Sequence, residues 1–220
     1  MTNPQDPEQD PTIGLLSILD GAASRVRRAA FTRLLATAEP VDVTTLAFDT
    51  GLAKSDVETA LADLASAGAI TRQPSSAGQG SPAGPVVAAG GLSVAPARHQ
   101  LLLDGRAFWT WCAFDGIGIP AALGIDAVLE TRCPTCGEHI QVSVVDGQPP
   151  LDSPVVGWLP GRACANVQDD FCPEANLFCS DAHLASWRAT VGEPLGTAAS
   201  LPDLAETGRQ VWSDLTSPAE

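Results

Sequence analysis

Lysine is almost missing from this chain: Lys54 is the only one in 220 residues. Arginine does not fill the gap, because 12 basic residues face 26 acidic ones, a formal charge of −14. A surface of that sign repels phosphate backbones and weighs against nucleic-acid binding. Long apolar runs are also missing. Although 45% of the residues are hydrophobic, no segment approaches the roughly 18 uninterrupted apolar residues of a membrane span. No membrane partner is therefore expected. Met1 to Asp10 is polar and acidic, without the basic start or apolar stretch of a signal peptide. It reads as a frayed tail on a cytoplasmic protein. No internal repeat is visible.

What is present is cysteine: Cys112, Cys133, Cys136, Cys164, Cys172 and Cys179. An even set in a small secreted chain would suggest disulfides. In a reducing cytosol, catalytic or metal-binding use is the better reading.

The expected fold class is α+β, a helical, helix-turn-helix-like N-terminal module ahead of a mixed α+β catalytic domain. Residues 1–72 read as the helical module. Thr12 can cap a short first helix, and Gly21 to Thr37 gives a second with Val26, Ala29, Phe31, Leu34 and Leu35 inward. Asp42 precedes a short helix that stops near Gly51. Ser55 and Glu58 suggest a capping box on a helix carrying Val57, Leu61 and Leu64 and ending at Gly68. Ile70 onward can supply a wing. The module nevertheless holds ten acidic against six basic residues, net −4. Its would-be recognition helix shows Asp56, Glu58 and Asp63, which favours a packing role over DNA binding.

Residues 73–91, rich in Ser, Gly, Pro and Ala, read as a linker or loop with little to bury. In residues 92–220, Gln100 to Leu103 reads as a strand closed by Asp104-Gly105. Ala127 to Thr131 and Ile140 to Val145 read as paired strands, and Val155 to Leu159 as another. Ser180 caps a helix through Thr190, and Ser200 with Asp203 opens the last one, through Leu215.

The chemistry concentrates in Phe108-Trp109-Thr110-Trp111-Cys112-Ala113-Phe114-Asp115. This run reads as a helix ending around Gly116 to Pro120, with the Cys112 thiol and the Asp115 carboxyl on one face. Cys172 follows Phe171 sixty positions later. Two soft sulfur ligands beside a proton donor suit one task well: holding a soft metal and protonating the carbon bonded to it. Apolar neighbours such as Trp111 and Phe114 are expected to raise the Asp115 pKa, and to form a dry pocket for an organic group.

Cys133-Pro134-Thr135-Cys136-Gly137 has the form of a zinc knuckle. Cys164, Cys172, Cys179, His139 and His183 are available to complete a site, but no second C-x-x-C occurs. Half of the usual spacing is missing, so the favoured reading is a hairpin turn with small, partly buried cysteines. No cofactor is then required, and structural zinc is the less favoured option. His139 and His183 read as locally satisfied residues. Either of them activating Cys112, in the manner of a cysteine protease, has no local signature behind it.

The ordered set Trp111-Cys112, Asp115, Ile119-Pro120-Ala121-Ala122-Leu123-Gly124 and Phe171-Cys172 resembles the alkylmercury lyase family. The likeness is strongest from about His99 to Trp187. The resemblance implies cleavage of carbon–mercury bonds by protonolysis, giving a hydrocarbon and mercuric ion. It implies Cys112 and Cys172 as mercury-binding thiols, Asp115 as catalytic carboxyl and weaker mercury ligand, and Cys133 as a structural cysteine. It implies an organomercurial substrate, mercuric ion as bound product, and cytosolic thiols or a mercuric reductase as acceptor. After Cys172 the family commonly continues with a His-rich aromatic stretch, where this chain has Pro173-Glu174-Ala175-Asn176. Cys136, Cys164 and Cys179 look like additions. The competing readings are a cysteine-based metal-binding or metal-sensing regulator, and a lyase homologue with a non-mercury role.

Overall fold

The computed structural model describes residues 21–74, 84–162 and 164–216. The tail Met1–Asp10 and the helix expected from Thr12 lie outside them.

Three helices open the described chain: α1 (Gly21–Thr37), α2 (Val43–Thr50) and α3 (Lys54–Ser66). On α1, Val26, Ala30, Phe31 and Leu34 are buried, whereas the expected Ala29 and Leu35 sit at the edge of the core. Asp42 caps α2 by accepting the Thr45 N–H at 2.9 Å, and Gly51 ends it at φ +66. The capping box expected of Ser55 and Glu58 does not form. Helix α3 starts two residues earlier, with Ala53 at its N-cap, so Ser55 is already inside the first turn. Glu58 instead accepts from Arg72 Nη1 at 2.6 Å.

Strand β1 (Ile70–Arg72) then pairs with β2 (Val86–Ala89). This is a correction: the stretch 73–91 is not all loop, because β2 is a strand buried at all four positions. A strand covered on both faces shows no alternation, and the Gly, Ser and Pro around it masked the short apolar run.

The strands β3 (Leu92–Ser93), β4 (His99–Leu103), β5 (Arg106–Thr110), β6 (Ala127–Arg132) and β7 (His139–Val144) complete a seven-stranded antiparallel sheet. Its order is β1-β2-β3-β5-β4-β6-β7, so one sheet runs from the helical segment into the rest of the chain. The β4–β5 hairpin turns at Asp104-Gly105, both at positive φ, and β6 pairs with β7 from Ala127↔Val144 to Arg132↔His139.

A second sheet, β10-β8-β9, is built from β8 (Val156–Pro160), β9 (Leu177–Phe178) and β10 (Gly196–Ser200). Helix α5 (Asp181–Val191) is capped by Ser180, and α6 (Leu201–Val211) has a full capping box from Ser200 and Asp203. The chain breaks at Trp212 before the short α7 (Ser213–Thr216).

Between sheet and α6 lies α4 (Asp115–Leu123), buried from Asp115 through Ala121. Gly118 of α4 faces Gly208 of α6 so closely that a Cβ on either would collide with the other helix. The expectation of a helix through Cys112 fails. Phe108 to Thr110 belong to β5, paired with β4 and β3, as an aromatic and β-branched run prefers. Cys112 sits in the turn that leads from β5 into α4, and that helix runs on past Pro120 to Leu123.

Candidate active site

The i, i+3 relation between Cys112 and Asp115 survives without a helix, because the turn itself supplies it. The Cys112 N–H donates to Asp115 Oδ2 at 2.9 Å, while Thr110 Oγ1 donates to the Cys112 carbonyl at 2.9 Å. Two more backbone bonds hold the turn: Trp111 N–H to Gly91 O at 3.3 Å and Ala113 N–H to Ala175 O at 3.1 Å. The second ties it to the segment just beyond Cys172.

Cys172 closes a π-helical turn, Val167–Phe171, its N–H donating to Val167 O at 3.0 Å. This turn hangs on the first module. Val167 N–H donates to Ala67 O at 3.0 Å, and Asn166 Nδ2 to Ser66 O at 3.2 Å. Gln168 Nε2 reaches Gly68 O at 2.9 Å and Ile70 O at 3.2 Å, and Thr71 Oγ1 donates back to Gln168 Oε1 at 3.1 Å. Phe114 meets Phe171 edge to face with centroids 6.1 Å apart, which packs the two cysteine-bearing segments together.

The result is a group of three ligand atoms, from Cys112, Asp115 and Cys172, all within 4.8 Å of one another and all from buried residues. Burial pushes the Asp115 carboxyl up to about 7, against the pull of hydrogen bonds from Cys112 and from the Trp111 backbone. The N-terminal end of α4, where Asp115 stands, favours a carboxylate, but loss of water outweighs it. The Cys112 thiol lies well above its usual value, through burial first and then its hydrogen bond to Cys172 and the neighbouring carboxylate. Cys172 receives that hydrogen bond, which lowers its pKa, but burial together with Asp115 and Asp169 leaves the net shift upward. Both thiols are thus held above their usual value.

A cavity of about 30 Å³ adjoins Asp115, lined by Gly91, Trp111, Phe114, Phe171, Trp212 and Arg27 among others. That is about the volume of one water molecule or a methyl group. Gly91 cannot carry a side chain here, since a Cβ would stand 2.7 Å from Asp115 Cγ and φ is +91. Neither Gly91 nor Arg27 was singled out from sequence. Gly91 looked like linker; Arg27 is the one basic residue on the inward face of α1, which was the available signal. Arg27 is 1% exposed, its Nη1 3.3 Å from Asp214, with Nε and Nη2 unpartnered among the described residues.

The histidines stand elsewhere. His139 is exposed, 3.9 Å from Glu130, and His183 lies with Cys133, Cys136 and Cys179. A Cys112–His dyad of the protease kind is not formed. Cys164 is half-buried, its thiol pushed up to about 11 by burial and then by Asp170 and Cys172. On α3, Asp56 and Asp63 are exposed, so the helix that would enter a DNA groove presents acid. No helix of the described residues is long and apolar enough to cross a membrane.

Residues 92–213 match the family model for MerB, alkylmercury lyase. An alkylmercury lyase of Bacillus cereus is 29% identical over 124 residues, 54% of this chain and 55% of that protein. The chain thus spans about half the length of this relative. One from Staphylococcus epidermidis is 26% identical over 182 residues, 81% of this chain and 78% of the relative. The crystal structure of the mercury-bound form of MerB2 superimposes with a TM-score of 0.81 at 24% identity, over 96% of this chain and 100% of that one. That likeness is one of fold, and it extends through the helical module.

Proposed function

The chain belongs to the alkylmercury lyase family, and from that premise we propose that it cleaves carbon–mercury bonds by protonolysis at Cys112, Asp115 and Cys172. The observation that carries the reading is the group itself: two buried thiols and a buried carboxyl near neutrality within 4.8 Å.

Mercury is soft and prefers sulfur to oxygen or nitrogen donors. One of the two sulfurs, Cys172 in this reading, takes the organomercurial cation first, and its proton leaves with the displaced thiolate or halide. As the Cys112 sulfur also bonds to the metal, it loses its proton, because a coordinating thiol is deprotonated outright. Asp115 is placed to receive that proton and, with a pKa of about 7, to hold it at neutral pH. Two thiolates raise electron density on mercury and weaken its bond to carbon. The proton on Asp115 then passes to that carbon, which keeps the bonding pair and leaves as hydrocarbon. Mercuric ion stays on the two sulfurs, and the carboxylate is restored. The cavity of about 30 Å³ beside Asp115 has a mainly apolar lining, which suits an organic group next to the acid.

This reading needs thiols kept reduced, as in the cytoplasm, and all six cysteines are free. The mercuric ion then passes to cytosolic thiols or a mercuric reductase. The test is release of methane from methylmercury or benzene from phenylmercury by the purified protein. Stoichiometric mercury uptake with no hydrocarbon would overturn it in favour of a binding or sensing role.

A further inference from the structure

Away from this three-ligand site, a second group among the described residues, of four ligands, is assembled from two halves far apart in sequence. The first half is the knuckle Cys133-Pro134-Thr135-Cys136-Gly137 between β6 and β7. Gly137 takes φ +75 to reverse the chain, and its N–H donates to Cys133 O at 2.9 Å. The second half is Cys179 and His183, a C-x-x-x-H spacing in which Cys179 precedes the α5 cap and His183 stands in the first turn. Both residues are among the five that the sequence offers to complete the knuckle, and only the absence of a second C-x-x-C tells against them there.

The four ligand atoms lie within 4.8 Å of one another. Cys136 Sγ is 3.6 Å from Cys179 Sγ, Cys133 Sγ is 3.9 Å from His183 Nδ1, and Cys179 Sγ is 2.8 Å from His183 Nδ1. A tetrahedral ion with metal–sulfur bonds of about 2.3 Å and a metal–nitrogen bond of about 2.0 Å has edges of roughly 3.5 to 3.8 Å. Two of these separations are already close to that, and the third needs a modest opening. Thr135 Oγ1 donates to the His183 carbonyl at 2.8 Å, so the hairpin and α5 are held in register independently of any ion. The contact between Cys136 and Cys179 is much longer than a disulfide bond of about 2.05 Å, and both thiols are free.

We propose that Cys133, Cys136, Cys179 and His183 bind one zinc ion, which staples the β6–β7 hairpin to the start of α5. Three thiolates and an imidazole with no position left open make a structural rather than a catalytic site. Zinc suits this donor set as a borderline-soft ion without geometric demands of its own, and the ligands shed their protons on binding it. The proposal stands apart from the carbon–mercury chemistry, and hydrocarbon release is not read in its test.

The full chain, purified from zinc-supplemented culture without chelator, is expected to carry about one zinc per chain by elemental analysis. The Cys136→Ser/Cys179→Ser double variant should lose the metal, and Cys164→Ser should keep it. Chelator-stripped wild-type protein should melt at a lower temperature. On titration with cobalt(II) it should develop a thiolate-to-cobalt charge-transfer band and a tetrahedral ligand-field envelope, saturating at one equivalent. This second arm, repeated on Cys112→Ser/Cys172→Ser protein so that the two-thiol site cannot supply the spectrum, decides the matter if the first double variant fails to fold. Zinc-free wild-type protein that develops no such cobalt spectrum overturns the proposal. So does zinc retained by a folded Cys136→Ser/Cys179→Ser variant, or a Cys136–Cys179 disulfide found by mass spectrometry in the zinc-supplemented preparation.

Discussion

Asp115 Oδ2 accepts the backbone N–H of Cys112 at 2.9 Å. The acid is therefore held against the main chain of the residue that carries the first thiol, within one turn. An asparagine can keep that acceptor through its carbonyl oxygen, so Asp115→Asn separates proton delivery from positioning. The variant should bind mercuric ion through Cys112 and Cys172 while hydrocarbon release falls by about 10²- to 10⁴-fold, the usual contribution of a general acid–base group. Mercury affinity and hydrocarbon release measured on one preparation check this. If both fall together in a folded variant, Asp115 positions the metal and the proton comes from elsewhere.

The same residue predicts a pH dependence of stability. Burial raises the Asp115 carboxyl from 3.8 to about 7. Below the unfolded value both states hold the proton and the stabilising contribution is whole. As pH rises from about 4 to 7 the unfolded chain releases its proton first, and stability is lost. Above 7 the folded chain carries a buried carboxylate, at a cost on the order of 4 kcal/mol for a shift of about three units. Asp115→Asn removes this dependence. Its melting temperature relative to wild type should rise between pH 5 and pH 8 in thermal scans; a constant difference across that range would contradict the assigned burial effect.

Gly91→Ala should damage the site without touching a ligand. The new Cβ would stand 2.7 Å from Asp115 Cγ at φ +91, so either the carboxyl or the Gly90-Gly91 turn must move. A displacement of about 1 Å can cost about 10²-fold in rate, and a loss of that order is expected in a chain that still folds. Unchanged turnover would mean that Asp115 has freedom the packing does not suggest.

The cysteines divide by role. Cys112→Ser and Cys172→Ser should each abolish hydrocarbon release, because an alcohol is a hard and weakly acidic substitute for a thiolate. Cys164→Ser, half-buried and outside the three-ligand group, should retain most of it. Full activity in Cys172→Ser would assign the second sulfur wrongly, with Cys164 the next to examine.

Caps and hairpins were legible in the sequence because their causes are local. Asp42, Ser180 and Ser200 cap the helices that follow them, and Asp104-Gly105 makes the turn expected of it, though the strand beyond it was not foreseen. The failures share a different cause, since in each a distant partner outweighed a local pattern. Phe108 to Thr110 became strand because β3 and β4 were there to pair with it. Glu58 left its expected cap for Arg72, fourteen residues on. Val86–Ala89 looked like linker because both its faces are buried by chain that composition does not reveal. At the site, residue types could be picked out, and it is long-range packing that brings Cys172 to Cys112 and Gly91 to Asp115. The burial of Arg27 against Asp214 and the meeting of Cys179 and His183 with the knuckle also depend on such contacts.

The two sulfurs are dimensioned from different datums. Cys112 is located by its own turn, a few residues from Asp115, whereas Cys172 is gauged against Ser66 to Thr71 through Asn166, Val167 and Gln168. A small shift at the end of α3 or in β1 would bear on Cys172 and be resisted at the Cys112 turn by the Ala113–Ala175 bond and the Phe114–Phe171 contact. The family match begins at residue 92, so a chain cut to that boundary would lose the anchors of Cys172 in residues 66–71 and, with Gly91, one of the bonds that hold the Cys112 turn. The helical segment is part of the instrument's alignment, not its mount.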